Sequence, residues 1–274
     1  YAWLGEHDIE TSNWTELDPI SPFYLFSEKK MDHVDEYKAG WSINDIFPIN
    51  SVGIVTARDN MTISMTKNEQ WNKVIDFAQL STDKAREKYN LGKDSDWTVE
   101  SAQKDIKKSE IRPEKIIPIL YRPFDVRFTY YTGSPNGYHT RPRSNVMQHL
   151  LAGHNLSICF HKREELNVPY SHFFISNSIT EHGLISSKTT NYQAPLFLYP
   201  ENEPRRPNLS PEFVNEITAK LGFEPTPEQI FYYIYAVFHA PTYRSRYAEF
   251  LKMDFPRVPL PKDAELFREL CKSG

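Results

Sequence analysis

Three short groups of basic side chains in this sequence could grip a polyanion. Arg122, Asp125 and Arg127 sit between the apolar run Ile116-Ile117-Pro118-Ile119-Leu120 and the aromatic Phe128-Thr129-Tyr130-Tyr131. His139-Thr140-Arg141-Pro142-Arg143 follows a turn-forming stretch, Gly133-Ser134-Pro135-Asn136-Gly137, and His161-Lys162-Arg163 closes an apolar segment. A guanidinium fork matches phosphate oxygens in pairs, and when fixed at a strand end it also reaches base edges. These residue types predict phosphate contacts from Arg122, Arg127, His139, Arg141 and Arg143. Base reading is expected from Lys162, Arg163, Lys188, Asn191 and Gln193, because Arg and Lys suit guanine acceptors while Asn and Gln suit adenine. An Arg–Asp pair at a strand corner equally suits an internal ion pair, and residue types alone leave both readings open.

The elements that must position these groups follow from period and turn chemistry. Residues 116–131 read as two short strands meeting at a corner pinned by Pro123. Residues 41–49 read as extended, residues 52–56 as a buried strand, and Arg58-Asp59-Asn60 as a turn. Helices are expected over 69–80, over 83–89 after Ser81-Thr82, over 98–109, and over 144–151 with a stop at Gly153. Strands are expected at 156–160, 172–175 and 196–199, with a polar loop over 181–192, where recognition is often placed. After a linker at 204–208 the chain reads as helical. Ser210 caps with Pro211 at the first position, Thr226-Pro227-Glu228-Gln229 forms a capping box, and Pro241 opens another helix. The expected architecture is α+β: a strand-rich lobe with a mixed sheet and a C-terminal helical lobe. Its divisions fall at 1–110, 111–203 and 204–274.

The chain has 274 residues with a formal net charge of −4, so any nucleic-acid surface must gather its positive charge on one face. The two cysteines, Cys159 and Cys271, form no CxxC pair, which argues against a zinc ribbon or disulfide scaffold and fits a reducing cytoplasm. Cys159 and His161 alternate on one strand without further Cys or His to complete a metal site. No apolar run reaches membrane-spanning length. The chain opens Tyr1-Ala2-Trp3-Leu4 without a start methionine, which predicts a piece of a longer polypeptide. Ser21-Pro22-Phe23-Tyr24 approaches the loop with which amino-methyltransferases hold a flipped base, but it lacks the second proline, and no glycine-rich methyl-donor loop precedes it.

Tyr121-Arg122-Pro123-Phe124-Asp125-Val126-Arg127, followed by Tyr130-Tyr131, resembles a signature of the C-terminal specificity domain of Type ISP restriction–modification enzymes. The likeness continues through Arg141-Pro142-Arg143-Ser144-Asn145-Val146-Met147 and Pro195-Leu196-Phe197-Leu198-Tyr199-Pro200. It is densest in Ile230-Phe231-Tyr232-Tyr233-Ile234-Tyr235-Ala236-Val237-Phe238-His239 and in Asp254-Phe255-Pro256-Arg257-Val258-Pro259-Leu260-Pro261. The resemblance implies target recognition on double-stranded DNA, presented to methyltransferase and translocase domains of the same parent chain. That parent would use S-adenosylmethionine, ATP and Mg, while this segment would need no cofactor and do no chemistry. Two other classes stay open on residues alone. Glu110, Glu114 and Lys115 loosely mimic a nuclease metal site, and the acidic, aromatic N-terminal stretch suits a protein-interaction module without DNA contact.

Overall fold

Side-chain caps set the starts of the longer helices. In this computed structural model, which describes residues 2–17, 32–162 and 170–274, the chain begins with α1 (Ala2–Glu6) and α2 (Val34–Lys38). Then come β1 (Trp41–Ser42), α3 (Ile43–Ile46), β2 (Ser51–Val52) and α4 (Asp59–Thr62). Three amphipathic helices follow: α5 (Lys67–Gln79), α6 (Thr82–Lys88) and α7 (Val99–Lys108). Their caps Thr66, Ser81 and Thr98 each accept a hydrogen bond from the amide three residues on. β3 (Ile116–Arg122) and β4 (Asp125–Tyr130) form the hairpin, and α8 (Ser144–Leu151) runs beside it. β5 (Ser157–His161), β6 (Phe174–Ser176), β7 (Ile179–Thr180), β8 (Asn191–Pro195), β9 (Phe197–Leu198) and β10 (Arg206–Pro207) complete the strand-rich part. The C-terminal part holds α9 (Pro211–Leu221), α10 (Pro227–His239), α11 (Pro241–Arg246), α12 (Ala248–Leu251), β11 (Arg257–Val258) and α13 (Ala264–Ser273). Ser210 caps α9, and Thr226 with Gln229 makes the full capping box of α10.

Two sheets carry the strand-rich part. One has the order β2-β8-β5-β6, with every pairing antiparallel. The other is mixed, in the order β4-β3-β7: the hairpin pairs are antiparallel and β3 runs parallel to β7. Alternation along the hairpin gives it two faces. Ile117, Ile119 and Tyr121 join Met147 and Leu150 of α8 and Ile179 of β7 in one cluster, while Leu120 joins Cys159 and Leu184 in another. The helices α5–α7 pack against the far end of the hairpin through Val74, Phe77, Trp97, Ile106, Ile116 and Tyr130.

The α+β architecture with a mixed sheet stands, and packing joins the parts on either side of 110 and 203. β1 pairs with β11 and β2 with β8, so residues 41–52 are stitched into both later parts. The largest core joins Tyr37, Phe47, Phe160, Phe173, Phe213 and Phe238, and the Phe173 and Phe238 rings stack at 4.1 Å. Aromatic spacing in α10 is therefore core packing. Local corrections have local causes. Residues 43–46 are a helix, not extended, because Ile43, Ile46 and Phe47 reach the core together only with helical spacing. Asp59 and Asn60 open α4 instead of forming a turn. Residues 191–195, assigned partly to a loop, form a central strand, and the linker at 204–208 contains β10, paired with β9.

Gly53 marks the closest backbone approach in this part of the fold. A Cβ there would lie 2.6 Å from the Glu181 carbonyl carbon and oxygen, both fixed main-chain atoms. Gly53→Ala should therefore destabilise the protein by about 1–3 kcal/mol, the usual range for overpacking against backbone. Urea unfolding of the two proteins at neutral pH measures it.

Candidate nucleic-acid interface

At the hairpin tip the backbone pairs Arg122 with Asp125 across Pro123-Phe124. Both nearby guanidinium groups lie over the Tyr121 ring, Arg122 at 4.0 Å and Arg127 at 4.2 Å from its centre. Arg127 Nε and Nη2 donate to Asp125 at 2.8–3.1 Å, an arrangement that raises the guanidinium's pKa. Arg122 Nη1 donates to Glu181 Oε2 at 2.8 Å and to the Tyr121 carbonyl at 2.6 Å. The Tyr121 hydroxyl donates to Asp59 Oδ2 at 2.5 Å; burial, with the Asp59 charge beside it, pushes its pKa up to about 12. Asp59 Oδ1 accepts from Thr56 at 2.5 Å. Arg122 and Arg127 are thus each tied to a carboxylate of this chain and act first as internal ion pairs.

His139 is fully buried, with its Nε2 hydrogen-bonded to Thr129 Oγ1 at 2.8 Å. Burial pulls its pKa down to about 4, so at neutral pH the ring is neutral and shut away from any phosphate. The two arginines beyond it are placed differently. Arg141 is exposed, and its backbone is held by hydrogen bonds with Val55. Arg143 sits at the N-cap of α8 with φ 54°, and its Nε is buried without a partner. Burial lowers the Arg143 pKa, and the positive charge of Arg141 lowers it further. The first turn of α8 has no acidic residue and no side-chain cap, and Ser144 and Asn145 beside it are exposed. Two like charges next to open helix amides form a surface that an anion would relieve.

Lys162 is half-exposed at the end of β5, 5.5 Å from the centre of the Phe255 ring and 4.0 Å from Asp254. Arg163, like Ser21-Pro22-Phe23-Tyr24, lies outside the described residues. Lys188 is exposed in the loop before β8. Asn191 and Gln193 are fully buried, because β8 lies between β2 and β5 with both faces covered. Gln193 donates to Ser157 Oγ at 2.7 Å and to the Ser178 carbonyl at 2.8 Å, and it accepts from Thr180 N and Oγ1. Its amide is therefore fully used inside the protein. Asn191 donates to Thr180 Oγ1 at 3.1 Å. Neither side chain is offered to a base, so both leave the set of readers.

Sequence reading missed Glu181, whose side chain is only 4% exposed and which also accepts from Gly183 N at 2.8 Å. His182 Nδ1 contacts the same carboxylate, which raises the imidazole pKa. A Glu-His-Gly word in a polar loop carries no mark of burial; the parallel β3–β7 pairing and the bridge to Ile54 place it inside. Two members of the proposed metal set are engaged within the chain, Glu110 with Arg112 and Lys115 Nζ donating to the Ser109 carbonyl, while Glu114 is exposed. Among the described residues no three His, Cys, Asp or Glu side chains gather as a metal site, and no helix is long and apolar enough to cross a membrane.

The fold is shared with parts of solved enzymes, two of them Type ISP restriction–modification enzymes. A cryo-EM structure of a DrdV–DNA complex matches with a TM-score of 0.72 at 22% identity, over 99% of this chain and 28% of that one. The Type ISP enzyme LlaGI, a nuclease-deletion mutant with a DNA substrate mimic, matches at TM-score 0.64 and 19% identity, over 96% of this chain and 25% of its own. LlaBIII, an ATP-dependent Type ISP restriction–modification enzyme bound to DNA, matches at TM-score 0.66 and 21% identity, over 86% of this chain and 16% of its own. No curated protein sequence matches the chain. Residues 45–274 match the family described as Type ISP C-terminal specificity domain, and the chain belongs to that family.

The buried His139 makes stability depend on pH. Its folded pKa lies below the unfolded value near 6.5, so the unfolded chain takes up the proton first and stability falls as pH drops through the window from about 6.5 to 4. This single ring should remove about 2 kcal/mol between pH 7 and pH 5. Urea unfolding of wild type and His139→Gln at both pH values checks it, the variant showing a smaller drop.

Proposed function

We propose that this chain is the DNA target-recognition domain of a Type ISP restriction–modification enzyme. It grips duplex DNA and positions it so that a methyltransferase domain elsewhere in the parent polypeptide can extract and methylate an adenine. The observation that carries the reading is the pair Arg141 and Arg143 at the open N-terminus of α8. Family membership and the DNA complexes among the structural neighbours support it. In this reading Arg141 and Arg143 hold phosphate, and Lys162, Arg163 and Lys188 are the candidates for base contact. Arg122 and Arg127 hold the scaffold together. The chain does no chemistry of its own; S-adenosylmethionine, ATP and Mg serve other domains of a cytoplasmic parent enzyme.

Phosphate contacts bind all sequences alike and release counterions, whereas base contacts discriminate. Arg141→Ala should weaken binding to every duplex by a similar factor and shallow the slope of log affinity against log salt by about one unit. Lys188→Ala should weaken the cognate duplex most, by about 1–3 kcal/mol. Fluorescence anisotropy at two salt concentrations, on cognate and single-base-variant duplexes, reads both. An unchanged affinity and slope for Arg141→Ala would remove α8 from the interface.

A further inference from the structure

The hairpin tip presents an aromatic side chain that neither the fold nor the proposed anion site uses. Phe124 is 91% exposed, and its backbone has φ 63°, in the left-handed region. After a proline, that turn position favours Gly or Asn, which adopt the conformation with little strain. A bulky aromatic there is strained and also exposes its ring to water. Neighbouring side chains extend the ring into a surface. Val126 is 52% exposed, and the Phe174 ring meets Phe124 edge-on at 5.9 Å. Leu120, Phe124, Val126, Leu156, Phe174 and Ile175 line a groove of about 320 Å³, with Ser176, Asn177 and Ser178 on its polar side.

The charges around this groove decide what fits it. Among the described residues no charged side chain lines it, and the arginines at the tip are already paired, Arg122 with Glu181 and Arg127 with Asp125. A phosphate backbone would gain little there and has no apolar group to fill the groove. An apolar centre with a compensated polar rim is the anatomy of a protein–protein contact. The exposed surface amounts to a few side chains, roughly a few hundred Å², well under the ~1,000 Å² that a separate stable partner requires. A tethered partner needs far less, because a linker supplies an effective concentration near millimolar. The solved chains that share this fold are several times longer than the region matched, which is 28%, 25% and 16% of their lengths.

We infer that the Phe124–Val126 face docks an apolar side chain from another folded part of the same Type ISP polypeptide, so that the hairpin couples this domain to the rest of the enzyme. The inference rests on family membership and is independent of whether Arg141 and Arg143 bind phosphate. It is tested by thiol labelling of Val126→Cys in a Cys271→Ser background, both in the 274-residue chain and in the full-length enzyme, with exposed Glu87→Cys as control. The introduced thiol at 126 should react with maleimide at least ten-fold more slowly in the full-length enzyme, with the control unchanged, and adding Phe124→Ser should restore the fast rate. Equal rates in the two proteins overturn the inference. Protection that appears only with duplex DNA also overturns it, making DNA the occupant and leaving the recognition reading intact. Protection of the isolated chain that grows with its concentration overturns it in favour of a second copy.

Discussion

A carboxylate buried to the degree of Glu181 must be paired, and the middle of this protein is arranged around meeting that demand. Leaving such a charge uncompensated in a low-dielectric interior costs several kcal/mol. Arg122 comes from the hairpin, Gly183 N from the following turn, and His182 from the next residue along. The same stretch of backbone bridges to Ile54 and leaves no room for a Cβ on Gly53. One ion pair thereby ties together the mixed sheet, the early strand segment and the tip of the hairpin. Tyr121 completes the joint by carrying both guanidinium groups on its ring and anchoring to Asp59 through its hydroxyl.

What could be read from the sequence was what depends on neighbours in the chain. The caps Ser81, Ser210 and Thr226, the hairpin and the stop after α8 are all set within a few residues. The fate of the polar side chains was set at long range. Arg122 looks available until it meets a carboxylate 59 positions away. Gln193 reads as a base contact until β8 takes its place between β2 and β5, where the amide serves Ser157, 36 positions back. His139 lies in a basic run, yet Thr129 and the surrounding core hold its ring inside. Residue type identified groups with the chemistry to meet phosphate or bases; pairing and burial decided which of them stay accessible.

With a net charge of −4, the protein offers positive potential only where its cations are not already neutralised. That condition separates the basic groups into those paired within the chain and those that are not. Arg122, Arg127 and Arg246 are matched by Glu181, Asp125 and Glu36, and these pairs fix elements to one another. Arg141 and Arg143 lie instead against each other and against open helix amides, an arrangement that is electrostatically uncomfortable without an anion. One residue type thus fixes elements to one another in one environment and leaves positive charge uncompensated in the other.

The pairing of β1 with β11 has a further consequence, for the order in which the chain can acquire its shape. Arg257 Nη1 donates to the Gly40 carbonyl at 2.8 Å across 217 positions, next to the two-residue ladder that joins β1 to β11. On a ribosome, residues 41–42 emerge long before their partners and must wait for almost the whole segment to be made. The hairpin and the helices α5–α7 have contacts that span less of the sequence and can form earlier, whereas the large aromatic core closes only once β11 is made. High contact order of this kind slows folding and leaves apolar surface open in the interval. A chain truncated before Arg257 would therefore lose the closing step of the fold as well as its final helix.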